Sequence, residues 1–110
     1  VLVVGFTFKA NCPDIRNTKV IDLVAHIEKW GMKPEVIDTW ANPDEVREKY
    51  GLTIRTVLPD CDDYDAIVFA VAHEDLISCG PESLRSLMVP KGVLMDITAC
   101  FAKDATDLRL

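Results

Sequence analysis

Two short segments of this chain are apolar at every position, and they limit the folds that the chain can adopt. The first runs from Val1 to Val4 and ends at Gly5, and the second runs from Ala66 to Val71. A strand with one face in water alternates apolar and polar residues, whereas a strand buried on both faces is apolar throughout. Because strands of the second kind occur mainly in parallel sheets covered by helices, the sequence predicts a parallel sheet between helical layers.

Helical and strand-like segments alternate along the rest of the chain. Apolar residues recur at helical spacing over residues 18–30, Asn17 or Thr18 can cap the start of that helix, and Gly31 ends it. The other expected elements are a helix that starts at Asn42-Pro43 and stops at Gly51, a helix over 81–88, strands over 35–38, 53–58 and 93–97, and an irregular or partner-docked tail over 103–110. This alternation predicts one domain over residues 1–110, a three-layer Rossmann-like α/β fold with a mainly parallel sheet of about five strands.

The charge and the cysteine content exclude several classes of protein. The formal net charge is −6, whereas a nonspecific nucleic-acid binder needs a basic face. The longest apolar run, 66–72, is far shorter than the roughly 20 residues that span a bilayer. The cysteines at 12, 61, 79 and 100 form no C-x-x-C pair, so we expect reduced, mostly buried or half-buried thiols and no metal site. The chain begins inside a strand without a basic leader, so we expect a piece of a longer cytoplasmic protein.

The loop after the first strand is the candidate site, because ligands of parallel sheets bind beyond the carboxyl ends of the strands. A dinucleotide fingerprint would place three glycines here, but only Gly5 fits, and Thr7 and Ala10 stand at the other two positions. Asp38 ends the second strand, where an acid that binds a ribose would lie. Because the branched side chain of Thr7 would keep the backbone away from a pyrophosphate, the pattern argues against dinucleotide binding in the usual mode.

Charged and polar side chains replace the missing glycines. Lys9 supplies a point cation, and Arg16 supplies a planar fork for an anion close to a helix N-terminus. Asp14 can hold Arg16, Asn11 offers both a donor and an acceptor, and Pro13 stiffens the loop. Two interpretations are open on these residues: a site for an anionic ligand, or a solvated loop in which the Asp14–Arg16 pair only braces the turn.

Other polar residues invite a functional interpretation as well. His73 and Glu74 follow the fourth strand and reach the same edge of the sheet; they could contact a ligand, but a cap for the next helix or an interdomain contact is the favoured interpretation. Four aspartates at 60, 62, 63 and 65 lack the central glycine and the distal glutamate of a calcium loop, so we expect a solvated loop there.

The segment GFTFKANCPDIRNTKVIDLV resembles the G-x-[TAS]-F-K-x-N-x-x-D-x-R signature that opens the C-terminal domain of the UDP-glucose/GDP-mannose dehydrogenase family. The stretches EVIDTWANPDEV and YDAIVFAVAHEDL are also similar to that family, so the resemblance covers nearly the whole chain. The wording NCPDIRNTKV is most similar to the branch that oxidises UDP-N-acetylhexosamines for Vi-type capsular and O-antigen polysaccharides. Thr39 and Thr98 depart from the family pattern, which often has a proline and a basic residue at these places.

The resemblance implies an activity for a longer protein. That enzyme would oxidise the C6 hydroxyl of a nucleotide sugar, a UDP-N-acetylhexosamine or UDP-glucose, to a carboxylate with two NAD⁺. An N-terminal domain would bind most of the NAD, the full-length protein would be a homodimer, and the catalytic cysteine would precede this chain. The chain alone is therefore expected to hold no catalytic residue and to be inactive. The alternative is a stand-alone, non-catalytic nucleotide-binding regulatory module.

The resemblance also implies roles for single residues. Phe8 and Lys9 would contact the UDP-sugar, with Lys9 near the diphosphate or the sugar. Asn11 and Asp14 would shape the loop and belong to the substrate site, and Arg16 would reach toward NAD across a cleft between two domains. The expected partners are the UDP-sugar and the N-terminal domain, with no nucleic acid and no membrane.

Overall fold

A computed structural model of the chain describes residues 1–109, and in that range six strands form one parallel sheet. The strands are β1 (Leu2–Val4), β2 (Glu35–Ile37), β3 (Ile54–Arg55), β4 (Tyr64–Phe69), β5 (Met88–Asp96) and β6 (Leu108–Arg109). Three helices join them, α1 (Val20–Lys29), α2 (Pro43–Tyr50) and α3 (Glu74–Arg85), and a 3₁₀ turn spans Lys103–Ala105. The order across the sheet is β3-β2-β1-β4-β5-β6, so the predicted Rossmann-like α/β class is confirmed.

Strand β1 lies at the centre of the sheet and is buried on both faces, as its apolar sequence predicts. Val3 pairs in register with β2 and β4 and belongs to one apolar cluster together with Val24 of α1. Leu2 and Val4 belong to the other cluster, together with Leu84 of α3. Successive side chains of a strand point to opposite faces, so α1 covers one face of the sheet and α3 covers the other.

The local signals at the helix ends are largely confirmed. Asn42 caps α2 by accepting the first free backbone N–H groups, Pro43 is the first helical residue, and Gly51 ends the helix with a φ of 67°. Helix α1 begins at Val20, two residues after the predicted start. The hydroxyl of Thr18 still accepts the Val20 N–H at 3.2 Å, so Thr18 supports the first turn from outside the helix.

The predicted helix over 81–88 is confirmed only in part: helical backbone resumes at Pro81, but it ends at Arg85, Met88 already belongs to β5, and the helical residues before Gly80 were not predicted. Helix α3 begins at Glu74, and the chain kinks at Gly80 (φ 80°, ψ 158°) before it continues through Pro81 to Arg85. A Gly-Pro pair normally marks the boundary of a helix, which is why the sequence pattern indicated a start there. Burial of Leu76 on one side of the kink and of Leu84 on the other holds both halves against the sheet.

Of the two expectations for the tail 103–110, an irregular structure is wrong for the described residues 103–109, docking to a partner stays a prediction, and Leu110 lies outside the described residues. Strand β6 pairs parallel to β5, with Leu108 beside Met95. Leu94 N–H donates to the carboxylate of Asp107 at 2.8 Å, and Asp107 N–H donates to the Leu94 carbonyl at 2.9 Å. Arg85 of α3 lies 3.2 Å from the same carboxylate, which fastens the tail to the domain.

Candidate functional site

The carboxyl ends of β1, β2 and β4 meet at one edge of the sheet, which we call the carboxyl rim. Strands β2 and β3 extend the sheet on one side of β1, and β4 to β6 extend it on the other. The strand order therefore reverses between β1 and β4, and at such a reversal the loops diverge and leave a crevice in which parallel sheets bind ligands. The β1–α1 loop, residues 5–19, starts at this point.

Gly5 makes the turn out of β1, and no other residue fits there. Its φ is 99°, a left-handed conformation that residues with a Cβ rarely adopt. A Cβ on Gly5 would lie 2.6 Å from Cβ and 2.7 Å from the backbone nitrogen of Val71, which follows β4. Because these atoms belong to the main chain and the root of a side chain, they cannot move aside. Gly5 thus lets the β1–α1 loop pass directly against the β4–α3 connection.

Asp38, which follows β2, binds the start of the β1–α1 loop. Its side chain is fully buried. One carboxylate oxygen, Oδ2, accepts the backbone N–H of Phe6 at 2.6 Å and that of Thr7 at 3.1 Å. The other, Oδ1, accepts the N–H of Trp40 at 2.7 Å and that of Ala41 at 2.8 Å. A single carboxylate therefore ties the loop after β1 to the loop after β2.

His73, the residue before α3, completes the shell around Asp38. The imidazole is fully buried, and its Nε2 lies 2.9 Å from Oδ2 of Asp38. Since a carboxylate only accepts hydrogen bonds, Nε2 carries the proton; Nδ1 is the acceptor, and the backbone N–H of Asn11 donates to it at 2.9 Å. Burial alone would raise the pKa of Asp38, but hydrogen bonds from His73 and the backbone N–H groups outweigh it and lower the pKa to about 2.

Phe8, Lys9 and Ala10 form an exposed arch between these anchors. The side chain of Phe8 is 53% exposed, and those of Lys9 and Ala10 are exposed as well. Just before the arch, the buried hydroxyl of Thr7 donates to the carbonyl oxygen of Lys9 at 3.0 Å. Within the part of the chain that the structure describes, the ammonium group of Lys9 makes no ion pair. Lys9 is therefore a fixed backbone position with a cation that is free for an external anion.

Asn11 closes the arch and fastens it to α3. Its φ is 55°, in the left-handed region that asparagine tolerates better than most residues. Its side-chain oxygen accepts the backbone N–H of Glu74, the first residue of α3, at 2.8 Å. The acceptor that the sequence singled out on Asn11 is thus used inside the protein, while the side-chain amide can still donate.

Asp14 holds Arg16, as the sequence predicts. Nε and Nη2 of Arg16 donate to the two carboxylate oxygens of Asp14 at 3.0 and 3.1 Å, and the backbone N–H of Arg16 donates at 2.9 Å. The hydrogen bond from Arg16 lowers the pKa of Asp14, and the same bond raises the pKa of Arg16. The Arg16 side chain is 76% exposed, so water screens the pair, and the guanidinium is oriented but accessible.

Two shallow depressions open beside the β1–α1 loop. The first, of about 430 Å³, is lined by Asn11, Thr39, Trp40, Glu74 and Asp75. The second, of about 460 Å³, is lined by Ile15, Arg16, Glu45, Glu48 and Lys49. Lys9 lines neither of them, and each holds two carboxylates that oppose an anionic ligand. Lys9 and Arg16 therefore do not line a common depression, and the rim of this chain is an open surface.

The predicted site residues lie on one continuous loop, and the structure connects several of them. Phe8 N–H donates to the backbone oxygen of Asp14 at 2.8 Å, which brings the arch next to the Asp14–Arg16 pair. Contact of Phe8, Lys9, Asn11, Asp14 or Arg16 with a ligand stays a prediction. For His73, the favoured expectation of a helix cap is only partly met: it stands at the N-cap position of α3, but its ring binds the loop instead of the helix.

A dinucleotide does not fit this loop in the usual mode. The backbone N–H groups of Phe6 and Thr7, which follow the glycine, point to the Asp38 carboxylate instead of the solvent. Asp38 in turn accepts five hydrogen bonds and is fully buried, so it cannot bind ribose hydroxyls. The sequence places an acid at this strand end but does not indicate its internal role, because three of its five partners lie more than thirty residues away.

Other candidates from the sequence lie away from the rim. Asp60, Asp63 and Asp65 line a cavity of about 380 Å³ at the opposite edge, where the strands begin. Among the described residues, no three His, Cys, Asp or Glu side chains are grouped so that they could hold a metal. All four cysteines are free thiols; Cys12 and Cys61 are half-buried and Cys79 and Cys100 are exposed, so the expectation of mostly buried or half-buried thiols is met by only two of the four.

No helix within residues 1–109 has the length and the apolar character needed to cross a membrane.

An all-parallel sheet with helices on both faces, and with charged side chains instead of glycines at its switch point, defines a variant Rossmann-like ligand-binding domain. Residues 2–103 match the UDP-glucose/GDP-mannose dehydrogenase family, UDP binding domain. The chain belongs to this family, so the predicted membership is confirmed.

Three relatives are similar to this chain over part of their own length. It is 41% identical over 110 residues to the UDP-N-acetyl-D-glucosamine 6-dehydrogenase of Salmonella typhi and 39% identical to that of Pseudomonas aeruginosa, with 100% of this chain and 26% of each relative covered. It is 33% identical over 102 residues to Protein CapL of Staphylococcus aureus, with 93% of this chain and 24% of CapL covered. The chain thus spans about a quarter of the length of the curated relatives it matches.

Proposed function

We propose that this chain is the sugar-nucleotide-binding domain of an NAD-dependent 6-dehydrogenase. The full-length enzyme oxidises the C6 hydroxyl of a UDP-N-acetylhexosamine, or of UDP-glucose, to the carboxylate of the uronic acid for polysaccharide biosynthesis. The oxidation removes four electrons, so it consumes one water and two NAD⁺ and yields two NADH for each sugar. In this reaction the chain binds and orients the substrate, and it supplies none of the reacting groups.

A single observation carries the proposal: an anchored loop presents an unpaired, exposed Lys9 at the switch point of the sheet. The net charge of the chain is −6, so the positive charge at the carboxyl rim comes from Lys9 itself and not from the charge of the whole chain. A lysine near one phosphate charge at about 4 Å gains about 1 kcal/mol in water and about 4 kcal/mol near a protein surface. The 41% identity to a UDP-N-acetyl-D-glucosamine 6-dehydrogenase supports a diphosphate of a UDP-sugar as that anion.

The other residues of the loop have separate roles in the proposed site. Phe8 offers an exposed apolar surface to the sugar or the base, and the side-chain amide of Asn11 can donate to a ligand oxygen. Asp14 orients Arg16, and Arg16 extends toward NAD held by another domain. The open rim supports this arrangement, because a ligand that lies between two domains needs only half of its pocket from each.

The proposed partner is an N-terminal NAD-binding domain of the same protein, and the proposed full-length enzyme is a cytoplasmic homodimer. The length of the relatives supports the additional domain, since each is about four times as long as this chain. NAD belongs mainly to that domain in the proposal, which agrees with the poor fit of a dinucleotide to the β1–α1 loop.

The experiment that tests the proposal uses the full-length natural protein that contains these residues. NADH formation is followed with UDP-N-acetylglucosamine, UDP-N-acetylgalactosamine and UDP-glucose, and binding of UDP to the 110-residue chain is measured by titration calorimetry. We expect NADH with a UDP-N-acetylhexosamine from the full-length protein, and no NADH from the chain alone. UDP-sugar binding without turnover in the full-length protein would instead support the non-catalytic regulatory module.

Lys9→Ala in the full-length protein tests the role of the cation. We expect the KM for the UDP-sugar to rise about tenfold, which corresponds to about 1.4 kcal/mol, while the KM for NAD stays within about twofold. Lys29→Ala is the matched control, because Lys29 is exposed at the end of α1, which runs back from the rim to the opposite edge. An unchanged KM for the UDP-sugar in Lys9→Ala would remove Lys9 from the site.

A further inference from the structure

The imidazole of His73, which belongs to the β4–α3 connection, contacts the other two loops that meet at the carboxyl rim. Its Nδ1 accepts the Asn11 N–H of the β1–α1 loop, and its Nε2 lies 2.9 Å from Asp38, which follows β2. Trp40, in the same β2–α2 loop, stacks on the ring, with centroids 6.0 Å apart and planes 27° apart. The backbone of His73 itself begins α3, since its carbonyl accepts the N–H of Ile77 at 2.9 Å. A rigid helix therefore carries the ring that connects the loops.

Both ends of the exposed arch depend on this ring. At the far end, His73 binds the Asn11 N–H directly. At the near end, Nε2 lies 3.1 Å from the hydroxyl of Thr7, and that hydroxyl donates to the carbonyl oxygen of Lys9. Because the Thr7 hydroxyl donates its proton to the Lys9 carbonyl, its oxygen is the acceptor toward His73. The Nε2–H group of His73 is therefore shared between the Thr7 oxygen and the Asp38 carboxylate. One fully buried side chain thus sets the backbone on both sides of Lys9.

We propose that His73 is a positioning residue for sugar-nucleotide binding: it acts through Thr7 and Asn11 to hold the arch Phe8–Lys9–Ala10 in its binding conformation. The inference rests on the proposed function, because it assigns to the arch the UDP-sugar named there. His73 is buried below the arch and touches no ligand, so its whole effect reaches the substrate through the backbone of Lys9.

The physical basis is the entropy of ordering. A lysine on a flexible loop loses backbone and side-chain freedom when it binds an anion, and this loss weakens the complex. Hydrogen bonds at both ends of a three-residue arch remove the backbone part of that loss before the ligand arrives. Loosening the arch therefore weakens binding of the UDP-sugar specifically, and it leaves NAD binding by another domain unaffected.

The test compares two variants of the full-length protein with one control. His73→Phe removes all three hydrogen-bond contacts of the ring, with Thr7, Asn11 and Asp38. Thr7→Val removes only the hydroxyl, in a side chain of the same shape, and leaves the Asp38–His73 bond in place. His26→Gln is the control, because His26 is exposed on α1. We expect the KM for UDP-N-acetylglucosamine to rise about three- to tenfold in Thr7→Val and at least as much in His73→Phe, with the KM for NAD within about twofold.

A double-variant cycle separates positioning from a general loss of structure. If Thr7 acts through Lys9, its removal matters little once the ammonium group is gone. The KM of Thr7→Val/Lys9→Ala should then be within about twofold of that of Lys9→Ala alone. Multiplicative effects, or equal increases of the KM for NAD and for the sugar, would overturn the proposal. Thr7→Val serves as the deciding variant if His73→Phe does not fold.

Hydrogen exchange keeps this inference separate from the proposed function. In the full-length protein without ligand, the backbone amide of Asn11, which donates to Nδ1 of His73, should exchange at least about tenfold faster in Thr7→Val than in the wild type, with α2 unchanged. Faster exchange without any turnover of UDP-sugars would contradict the proposed function and leave the positioning of the arch intact. Unchanged exchange of the Asn11 amide would refute the role of His73 and Thr7, whatever the substrate is.

Discussion

Asp38→Asn is the substitution that most directly examines the anchoring of the candidate site. Asparagine has the same shape as aspartate, but it replaces one acceptor oxygen by a donor NH₂ group. If the amide nitrogen takes the place of Oδ2, it faces the N–H groups of Phe6 and Thr7; if it takes the place of Oδ1, it faces those of Trp40 and Ala41. In either orientation at least two buried backbone donors lose their acceptor.

The expected loss follows from that number of donors. A buried donor left without a partner costs about 1–3 kcal/mol, so two of them cost about 2–6 kcal/mol. Since the lost acceptor is also charged, we expect Asp38→Asn to lower the free energy of unfolding by about 4 kcal/mol at neutral pH. A domain of this size has a free energy of unfolding of about 5–15 kcal/mol, so this loss is a large part of the total.

The same carboxylate predicts a pH dependence with a definite sign. The folded pKa of Asp38 is about 2, against 3.8 for the ordinary group. The ionised carboxylate therefore contributes stability above about pH 4, and this contribution is lost as the pH falls through about 2. At about 1.4 kcal/mol per pKa unit, it amounts to about 2 kcal/mol. The stability difference between the wild type and Asp38→Asn should narrow by this amount at low pH.

Urea unfolding of the 110-residue chain, followed by circular dichroism at several pH values, measures both effects. The pKa values of Asp14 and Asp107 are also lowered, but these groups are present in both proteins and cancel in the difference. Asp62→Asn, in the exposed loop before β4, is the matched control and should change stability by less than about 0.5 kcal/mol. A loss below about 1 kcal/mol for Asp38→Asn, or a difference that does not narrow in acid, would refute the anchoring role.

Two further substitutions test how the loop and the tail are fixed. Gly5→Ala should lower stability by about 3 kcal/mol in urea unfolding, because it adds left-handed strain and an overlap with Val71; a change within about 1 kcal/mol would show that the close approach can relax. Arg85→Ala removes the contacts with Asp107 and with the Ala105 carbonyl, so it should lower stability by about 1 kcal/mol and speed hydrogen exchange of the Asp107 N–H; unchanged exchange would mean that β6 holds without the arginine.

The sequence predicts the architecture well where the signal is local. The runs 1–4 and 66–71 are apolar because they lie at the centre of the sheet, between two helical layers. The ends of α2 follow directly from the cap at Asn42, the proline after it and the glycine at 51. These signals need only neighbouring residues, so they can be identified without knowledge of the fold.

The mistaken elements depend on contacts that a local pattern does not contain. Gly80 and Pro81 are a normal helix boundary in sequence, but apolar contacts on both sides of the kink hold α3 together. The tail has no strand-like alternation, and β6 exists because Asp107 exchanges hydrogen bonds with Leu94 of β5 and is paired with Arg85 of α3. Tertiary contacts decide these segments, and propensity does not.

In the candidate site, too, the residues with local signals were predicted and those with long-range contacts were not. Lys9, Asp14 and Arg16 are recognisable from their spacing, and the Asp14–Arg16 pair is present as predicted. The role of Asp38 and His73 was not recognisable, because each binds partners 31 to 66 residues away in the chain. A strand-end aspartate is compatible with a ribose ligand or with an internal anchor, and only the burial of the carboxylate distinguishes the two.

These contacts also explain why the loop has no glycine fingerprint. In a dinucleotide-binding loop the backbone N–H groups after the first glycine are left free, and glycines let a phosphate approach them. Here the buried carboxylate of Asp38 already accepts hydrogen bonds from those N–H groups, at Phe6 and Thr7. An anion from outside cannot use these two N–H groups, so in the proposed site a cationic side chain beyond them takes their place. Lys9, two residues after the last N–H group that Asp38 binds, carries the first exposed cationic side chain beyond that anchor.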